Sequence, residues 1–333
     1  MKTLMFNKWC FSYNNKLLPF FGKIDIVNPY NININSFLEF YSRNGYDQII
    51  FTNPFIDIKV KNIYNTVKES DIKFYVIERG ALPDSMYIDS SGFCCDSKLY
   101  KEEYWNKIFT FDIYKKLNKY INNYKDNNMY LEKNPQKIGK EKLRSKIGFP
   151  KNTKFIFVPL QSRSDVTVKY FSGEIGNYDN FILLINEISS KISNNYKILV
   201  KKHPLSICEE KINNVLFLND ENIDDLIDLS DYVLLMNSGV GVLSFLKYKP
   251  VISTSIAFYN QKKLCFSSSN SDDILYIIKN KKTKKRIFIQ KFLSYLIHDF
   301  YSFASMKNKT ENYTKEANKS VTYYLDYYKI LFS

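Results

Sequence analysis

Histidine is scarce in this chain, and its cysteines are not arranged in pairs. The 333 residues include two histidines and five cysteines. The cysteine count is odd, and the spacing lacks the paired motifs of a zinc site; the positions are Cys10, Cys94, Cys95, Cys208 and Cys265. We therefore expect no metal site, and thiols that stay reduced in a cytoplasmic setting.

Long apolar runs are also absent. No run reaches the roughly 18 residues that a membrane-spanning helix needs. The first residues include Lys2 but lack the apolar core of a signal peptide. We expect a soluble cytoplasmic protein, with peripheral attachment to the inner membrane as the alternative.

Acidic residues are fewer than basic ones. The chain has 48 Lys and Arg against 34 Asp and Glu, a net charge of +14. That charge suits nucleic acid, an anionic membrane face or a phosphorylated substrate. Since no nucleic-acid-binding motif is present, we expect no nucleic acid partner. The densest basic stretch is Lys279 to Arg286, either a solvated loop or a membrane contact.

What is present is an alternation of predicted strands and helices, which is typical of α/β folds with parallel sheets. The length suggests two domains, and a Gly148 to Pro150 break marks a boundary. We predict an N-terminal domain over 1–150 and a second domain over 151–290. Residues 291–333 are predicted to return to the first domain as helices, including one over 321–331.

Three predicted strands of the second domain end in polar residues. Gln161 and Arg163 follow the first, Lys202 and His203 the second, and Asn237, Ser238 and Gly239 the third. Parallel strands share one carboxyl edge, so these side chains should converge on one ligand. Histidine beside lysine suits phosphate, and glycines in the last turn permit close approach of the backbone. The alternative for the histidine is a packed or surface position.

Charged residues also follow a predicted strand of the first domain. Glu78 and Arg79 end that strand, and Asp84 and Asp89 lie in a stretch that we predict to be a loop, because it contains Gly80 and Pro83. A carboxylate there could act as a general base. The alternative is a surface loop with a Glu–Arg ion pair. Elsewhere, the acids of the helix predicted over 223–229 are expected to form a solvated face.

Several of these motifs resemble a known family. Lys-Lys-His-Pro at 201–204, Asn-Ser-Gly-Val-Gly at 237–241 and Lys-Pro-Val-Ile at 249–252 are similar to the donor-side half of capsule polysaccharide biosynthesis proteins. That family includes retaining β-Kdo glycosyltransferases of the GT-B fold. Pro-Leu-Gln at 159–161 resembles its glutamine motif, and Ile-Glu-Arg-Gly at 77–80 lies where it has a Glu-Asp-Gly segment.

The resemblance implies two Rossmann-like domains facing a cleft. It implies a metal-independent glycosyltransferase without a cofactor, whose substrate is a nucleotide- or diphosphate-activated, CMP-Kdo-like donor. Its acceptor would be a polysaccharide or lipid-linked glycan, growing into capsule or lipopolysaccharide O-antigen. One alternative is another donor, such as phosphoribosyl diphosphate. A second is a non-catalytic glycan- or nucleotide-binding protein.

The resemblance also implies residue roles. The catalytic candidates are Glu78, Asp84, Asp89 and His203. The donor-binding candidates are Arg79, Gln161, Arg163, Lys202, His203, Asn237, Ser238 and Gly239. Arg79 stands where the family has an aspartate, which leaves the catalytic carboxylate to Glu78, Asp84 or Asp89. The helix after Gly239 reads Val242-Leu243-Ser244, where relatives often carry a glutamate.

Overall fold

The computed structural model describes residues 1–6, 16–126, 134–204, 206, 210–312 and 320–333. Its contacts divide the chain into two compact units. Unit 1 comprises Met1–Lys98 and Leu296–Ser333, and unit 2 comprises Leu99–Tyr295. Residues 99–150, which we had assigned to the first domain, therefore lie in unit 2. Cys10 and Cys208 lie outside the described residues.

Both units contain a β-sheet. The strands are β1 Lys2–Met5, β2 Lys23–Ile26, β3 Gln48–Phe51, β4 Phe74–Arg79, β5 Ser85–Asp89, β6 Lys154–Pro159, β7 Tyr196–Lys201, β8 Val215–Phe217, β9 Tyr232–Leu235, β10 Val251–Ser253, β11 Phe266–Ser267, β12 Ser302–Asn312 and β13 Ser320–Lys329.

Helices connect and flank these strands. They are α1 Leu18–Phe21, α2 Phe37–Arg43, α3 Ile58–Lys68, α4 Glu102–Trp105, α5 Phe111–Asp126, α6 Lys140–Ile147, α7 Val166–Tyr170, α8 Tyr178–Lys191, α9 Ile223–Leu229, α10 Val240–Leu246, α11 Ser271–Lys279 and α12 Arg286–Tyr295. In the part of the chain that the structure describes, no helix is both long enough and apolar enough to cross a membrane.

The sheet of unit 1 has the order β13-β12-β5-β4-β3-β1-β2. The strands β1 to β4 are parallel, and β5, β12 and β13 extend the sheet by antiparallel pairing. Every residue of β3 is buried, as expected for a strand covered on both faces. The helix α3 follows β3 and buries Val60, Ile63, Tyr64 and Val67, which are spaced to form one helical face.

The sheet of unit 2 is entirely parallel, with the order β11-β10-β9-β6-β7-β8. In chain order its strands therefore read 3-2-1-4-5-6 from β8 to β11, which is the Rossmann order. Side chains of α8 and α11 pack on the strands in one apolar core. The predicted fold class, α/β with two Rossmann-like domains, is confirmed.

Residues 296–333 belong to unit 1, but mostly as strands instead of the predicted helices, while residues 291–295 form the end of α12 and belong to unit 2. The helix α12 and a π-helical turn, Leu296–Phe300, are followed by β12 and β13. These strands pair from Phe303↔Lys329 to Asn312↔Ser320. The helix predicted over 321–331 is therefore wrong. That stretch is rich in tyrosine and β-branched residues, which favour strands, and pairing with β12 stabilises that preference.

The acidic face of α9 is also not solvated. Asp224 and Asp225 are 3% and 0% exposed. Asp225 accepts hydrogen bonds from the backbone N–H groups of Ile138 and Gly139 at 2.7 and 3.0 Å. Asp224 accepts one from the Tyr124 hydroxyl and lies 3.6 Å from the Lys247 ammonium. These acids therefore fasten the segment before α6 and the helix α5 to the unit 2 core.

Candidate functional site at the carboxyl edge of the unit 2 sheet

The three predicted strand ends of unit 2 lie level with one another. Phe157 pairs with Val233, so four residues further along each chain Gln161 lies opposite Asn237. Pro159 pairs with Lys201, so two residues further His203 lies level with Gln161. Strand order reverses between β6 and β9, and ligands of open α/β sheets bind at such switch points. The register therefore brings Gln161 and Asn237 together at this edge, and His203 follows the neighbouring strand β7.

Gln161 and Asn237 are bonded to each other. The Gln161 amide nitrogen donates to Asn237 Oδ1 at 3.0 Å, and Gln161 Oε1 accepts from the Asn237 backbone N–H at 3.2 Å. Asn237 Nδ2 donates to the carbonyls of Thr167 and Phe171 at 2.9 and 3.1 Å. Both amides are at least nine-tenths buried. We name this arrangement the amide clasp. It positions the turn after β9 and leaves little of either side chain to contact a ligand.

The turn after β9 presents Ser238. Ser238 Oγ accepts from the Val240 N–H at 3.3 Å, which leaves its own O–H proton to donate. Gly239 is the N-cap of α10, and its backbone is already helical. Val240 begins that helix, and the half-buried Ser238 lies between the amide clasp and its first turn.

Gly241 has a packing role. A β-carbon at this position would come 2.5 Å from the ring of Tyr259, which is fully buried. The Tyr259 hydroxyl donates to the Ser238 carbonyl at 2.5 Å. We had interpreted Gly241 as giving a ligand room to approach. The structure shows that it makes room for Tyr259, which in turn holds the Ser238 turn.

The basic residues after β7 are of two kinds. Lys201 is 7% exposed and its ammonium donates to the carbonyl of Asn219, while burial lowers its pKa. Lys202 and His203 are half-buried. The Lys202 backbone N–H donates to Asn219 Oδ1 at 2.9 Å, and the Ser206 N–H donates to the His203 carbonyl at 2.9 Å. Asn219 therefore fixes the backbone from which Lys202 and His203 project.

Arg163 is paired with acidic residues. Its Nε and one terminal nitrogen donate to the two carboxylate oxygens of Glu210 at 3.0 and 2.8 Å, and the other terminal nitrogen contacts Asp179. The guanidinium lies 4.7 Å from the Tyr178 ring centre. The hydrogen bonds to Glu210 and Asp179 raise the pKa of Arg163. The donor-binding role predicted for Arg163 would require exchange of these partners.

Hydroxyl residues at the same edge were not identified from the sequence. Val251 pairs with Val233, so Ser255 extends level with Asn237. Ser253, Thr254 and Ser255 are all at least 95% buried. The Ser253 hydroxyl donates to the Met236 carbonyl at 2.5 Å. The signal was a run of three hydroxyl residues directly after an apolar strand, which is the same pattern that identified the other strand ends.

Glu78 and Arg79 lie at the end of β4 in unit 1. Glu78 pairs with Tyr87 and Arg79 with Met86, and successive strand residues point to opposite faces of the sheet. The predicted base and the predicted donor-binding cation therefore do not share a face. Glu78 Oε1 also accepts from the Arg79 backbone N–H at 2.9 Å.

Asp84 lies in the tight turn between β4 and β5. Its φ is +56°, a left-handed conformation that aspartate tolerates better than most residues. Its backbone carbonyl accepts from the Ala304 N–H at 2.9 Å. Its carboxyl is half-buried, and that burial raises its pKa. A raised pKa makes a carboxylate a stronger base, so Asp84 keeps the properties that its predicted role requires.

Asp89 is not on a loop. It is the last residue of β5, pairs with Val76 and is fully buried. One oxygen accepts from the N–H and the hydroxyl of Ser91, each at 2.7 Å, and the other accepts from the Ser97 hydroxyl. The predicted loop position is wrong because the chain forms a hairpin after β4. Through these hydrogen bonds, Asp89 holds residues 90–97 against the end of β5. A buried carboxylate with these partners is poorly placed to reach a substrate.

The described residues contain no group of three or more His, Cys, Asp or Glu side chains arranged to hold a metal ion. The Cys265 thiol is buried, and that burial raises its pKa to about 12.

Two solved structures share this architecture. Both are KpsC proteins of Thermosulfurimonas dismutans. One, a beta Kdo 2,7 transferase, aligns over 92% of this chain and 92% of its own, with a TM-score of 0.60 and 17% identity. The other, a beta Kdo 2,4 transferase, covers 91% and 92%, with a TM-score of 0.58 and 14% identity. At these identities the likeness shows the fold. No curated protein sequence matches the chain.

The fold defines a two-unit α/β protein of the Rossmann type, with polar residues at the switch point of the unit 2 sheet. A family model described as capsule polysaccharide biosynthesis protein matches residues 103–303, more than half of the chain. The chain belongs to this family, and the resemblance that the sequence motifs indicated is confirmed.

Proposed function

We propose that the protein is a glycosyltransferase of capsule synthesis that binds a phosphate-activated sugar at the carboxyl edge of unit 2. The observation that carries the proposal is the alignment of Gln161, His203 and Asn237 at the switch point of a Rossmann-type sheet, in a member of a capsule biosynthesis family. The fold alone would not support an activity, because unrelated functions share it.

The donor phosphate would lie against His203, Lys202 and Ser238. The ammonium of Lys202 and the imidazole of His203 would donate to phosphate oxygens, and the Ser238 hydroxyl would add a third hydrogen bond. The amide clasp would hold the Ser238 turn, and Asn219 would hold the backbone of Lys202, before the donor arrives. Such preorganised donors stabilise the negative charge that develops on the departing phosphate, so we propose that no metal ion and no cofactor are needed.

The acceptor hydroxyl would be activated by a carboxylate of unit 1. We propose Asp84 as the first candidate, because its half-buried carboxyl has a raised pKa and a general base works best when its pKa approaches the working pH. Asp89 is the weakest of the three candidates, since its oxygens are buried and bonded to Ser91 and Ser97.

We propose a CMP-Kdo-like donor, because two proteins of similar fold are named as Kdo transferases. The acceptor would be a capsular, O-antigen or lipid-linked glycan at the cytoplasmic face of the inner membrane, which the net charge of +14 suits. Phosphoribosyl diphosphate remains the alternative donor, since Arg79 adds a cation where the family carries an aspartate.

A second candidate function is non-catalytic binding of a glycan or nucleotide. The observations that favour it are Arg79 in place of the family aspartate and the burial of Asp89. The two candidates share the donor site and differ in turnover. They are separated by incubating a bound donor with acceptor glycans and measuring the product by mass spectrometry.

The first experiment is a thermal-shift screen with CMP, CMP-Kdo, UDP- and GDP-sugars and phosphoribosyl diphosphate. A donor should raise the melting temperature of the wild type, because ligands that bind only the native state stabilise it. His203→Ala and Lys202→Ala should lose the shift, whereas Lys151→Ala, which removes an exposed lysine of the same unit, should keep it. A shift that survives His203→Ala would exclude the proposed site.

A transfer assay then tests the catalytic part. With the donor identified by the screen, Asp84→Asn should abolish product while the thermal shift by the donor is retained. Glu78→Gln serves as the matched comparison and identifies the base if Asp84→Asn remains active. Donor binding without product, for every acceptor glycan offered, would favour the non-catalytic function.

A further inference from the structure

Unit 2 carries a dense basic surface that the proposed donor site does not use. Six of the eight residues from Lys279 to Arg286 are Lys or Arg, and the chain has no acidic residue from 274 to 298. This stretch joins the end of α11 to the start of α12, and we name it the basic loop. The sequence alone leaves a solvated loop and a membrane contact open for it.

The basic loop lies at the amino edge of the unit 2 sheet, opposite the proposed donor site. The hydroxyl of Tyr232, the first residue of β9, donates to the Lys282 carbonyl at 3.0 Å. The Lys284 ammonium lies 4.0 Å from the ring centre of Phe266, the first residue of β11. Asn237 lies beyond the other end of β9, about 17 Å of extended chain away from Tyr232. The basic loop is therefore too far from Asn237 to take part in donor binding.

Two cations hold the basic loop on the surface of unit 2. The Lys284 ammonium donates to the Lys262 carbonyl at 2.7 Å. The Arg286 guanidinium lies 3.7 Å from the ring centre of Tyr248, which is a cation–π contact. With these contacts and the bond from Tyr232, the loop is attached to the unit along its length and presents its remaining cations from a defined surface.

One of those cations lies where the backbone favours glycine. Lys281 has φ +49°, and its N–H donates to the Ile278 carbonyl at 3.1 Å as α11 ends. Helices that end in this left-handed conformation usually have glycine there, because a β-carbon is strained in it. The chain therefore keeps a lysine at a position where backbone preference alone would select glycine.

Four lysines of the basic loop are exposed, namely Lys279, Lys281, Lys282 and Lys285. The neighbouring Lys263, by contrast, is paired with Glu102. Across the ranges that the structure describes, no ion pair includes a cation of the basic loop. A cluster of cations without acidic partners attracts an anionic surface.

Exposed apolar side chains flank these lysines. Tyr276, in the last turn of α11, is 57% exposed, and Ile287, the second residue of α12, is 41% exposed. The Lys282 ammonium lies 4.3 Å from the Tyr276 ring centre. Tyrosine beside lysine is typical of membrane interfaces, where the ring lies at the headgroup level and the ammonium reaches the phosphates.

We propose that the basic loop, together with Tyr276 and Ile287, binds the surface of a lipid bilayer that contains anionic phospholipid. The lysines supply the attraction to the headgroups, and the two apolar side chains enter the interface. A soluble polyanion would contact the lysines without burying Tyr276 and Ile287. Such binding would bring the protein to a lipid-linked acceptor, but it does not depend on the proposed activity.

The test is flotation of the full chain, without donor, on phosphatidylcholine vesicles with and without phosphatidylglycerol. We expect binding to require phosphatidylglycerol and to weaken at high salt, because salt screens exposed charges. The triple variant Lys281→Glu/Lys282→Glu/Lys285→Glu should weaken binding about a hundredfold or more, since each cation near an anionic membrane contributes roughly fivefold.

The matched control is Lys116→Glu/Lys119→Glu/Lys142→Glu, which lowers the net charge by the same amount at exposed lysines of α5 and α6. It should bind the vesicles nearly as well as the wild type. Equal losses in the two triple variants would show an effect of net charge alone and would overturn the proposal.

Tyr276→Trp keeps the ring aromatic and separates a bilayer from a soluble polyanion. Its fluorescence should move to shorter wavelength with phosphatidylglycerol vesicles and not with heparin, measured against the two tryptophans of the wild type. The proposal is overturned if the vesicles cause no such change, or if the wild type binds heparin but not the vesicles. A failed donor screen at His203 would leave the vesicle result standing, because no donor is present.

Discussion

Strand order reverses in both sheets, but the carboxyl edges at the two reversals carry side chains of different charge. In unit 2, the switch point carries half-buried Lys202 and His203 beside the amide clasp of Gln161 and Asn237. In unit 1, the switch point carries a cavity with an ionised aspartate, Asp57, among aromatic and amide side chains. The two edges therefore differ in charge, with cations at the edge of unit 2 and an anion at the edge of unit 1.

Strand order determines which residues meet at a sheet edge, and the charges of their side chains determine which ligands that edge favours. Parallel strand order alone brings both sets of residues to a sheet edge. Whether the edge accepts a phosphate then depends on the charges that the chain supplies there. We therefore propose that the activated donor binds at the edge of unit 2.

The largest effect on stability is expected for Asn237→Ala. The change leaves the Gln161 amide nitrogen and the carbonyls of Thr167 and Phe171 without this partner in a buried place. We expect a loss of about 3 kcal/mol in the free energy of unfolding, measured by urea denaturation.

Asn280→Ala is the matched control, since its amide donates to the Tyr276 carbonyl at the surface. It should cost about 0.5 kcal/mol or less. Equal losses for the two variants would show that the amide clasp does not hold the unit 2 edge together.

An intermediate effect is expected for Asp89→Asn in unit 1. The buried carboxylate accepts three hydrogen bonds from Ser91 and Ser97, and an amide can replace only part of them. We expect a loss of about 2 kcal/mol, because hydrogen bonds to charged groups are the stronger ones. Asp71→Asn, at an exposed turn of the same unit, should be nearly neutral. A neutral Asp89→Asn would contradict the bracing role and return Asp89 to the catalytic candidates.

The smallest effect concerns the pH dependence that Asp57 contributes. Its pKa in the folded protein lies below the unfolded value of about 3.9, so its stabilising contribution is complete above that value. The contribution is lost as the pH falls through the folded pKa. Asp57→Asn can still cap α3 but does not titrate. The stability difference between wild type and variant should therefore narrow below about pH 4; a constant difference would contradict an ionised Asp57.

The elements that were predicted correctly are those whose local sequence pattern favours the same structure that packing in the folded protein favours. The helix α9 has the predicted bounds, because an apolar repeat behind the capping residue Asn222 is a local sequence signal. The strand β13 was predicted to be a helix because its tyrosines also fit a helical spacing. Pairing with β12, which no local pattern reports, decides between the two.

The site divides in the same way. The strand ends at Gln161, His203 and Asn237 were predictable because parallel strands bring their carboxyl ends together. That Gln161 and Asn237 bond to each other was not, because hydrogen-bond partners distant in sequence leave no spacing signal. The burial of Asp89 and Asp225 was not predicted for the same reason. The sequence looks the same whether a carboxylate accepts hydrogen bonds from backbone N–H groups or from water.

The most direct measurement of the central claim is calorimetric titration of three proteins with the donor identified by the screen. The proteins are the wild type, His203→Ala and Tyr30→Ala, which changes a wall of the unit 1 cavity. We expect His203→Ala to weaken donor affinity about tenfold or more, the loss expected for a hydrogen bond to a charged phosphate. We expect Tyr30→Ala to leave donor affinity unchanged. Donor binding that depends on Tyr30 and not on His203 would contradict the assignment of the donor to unit 2.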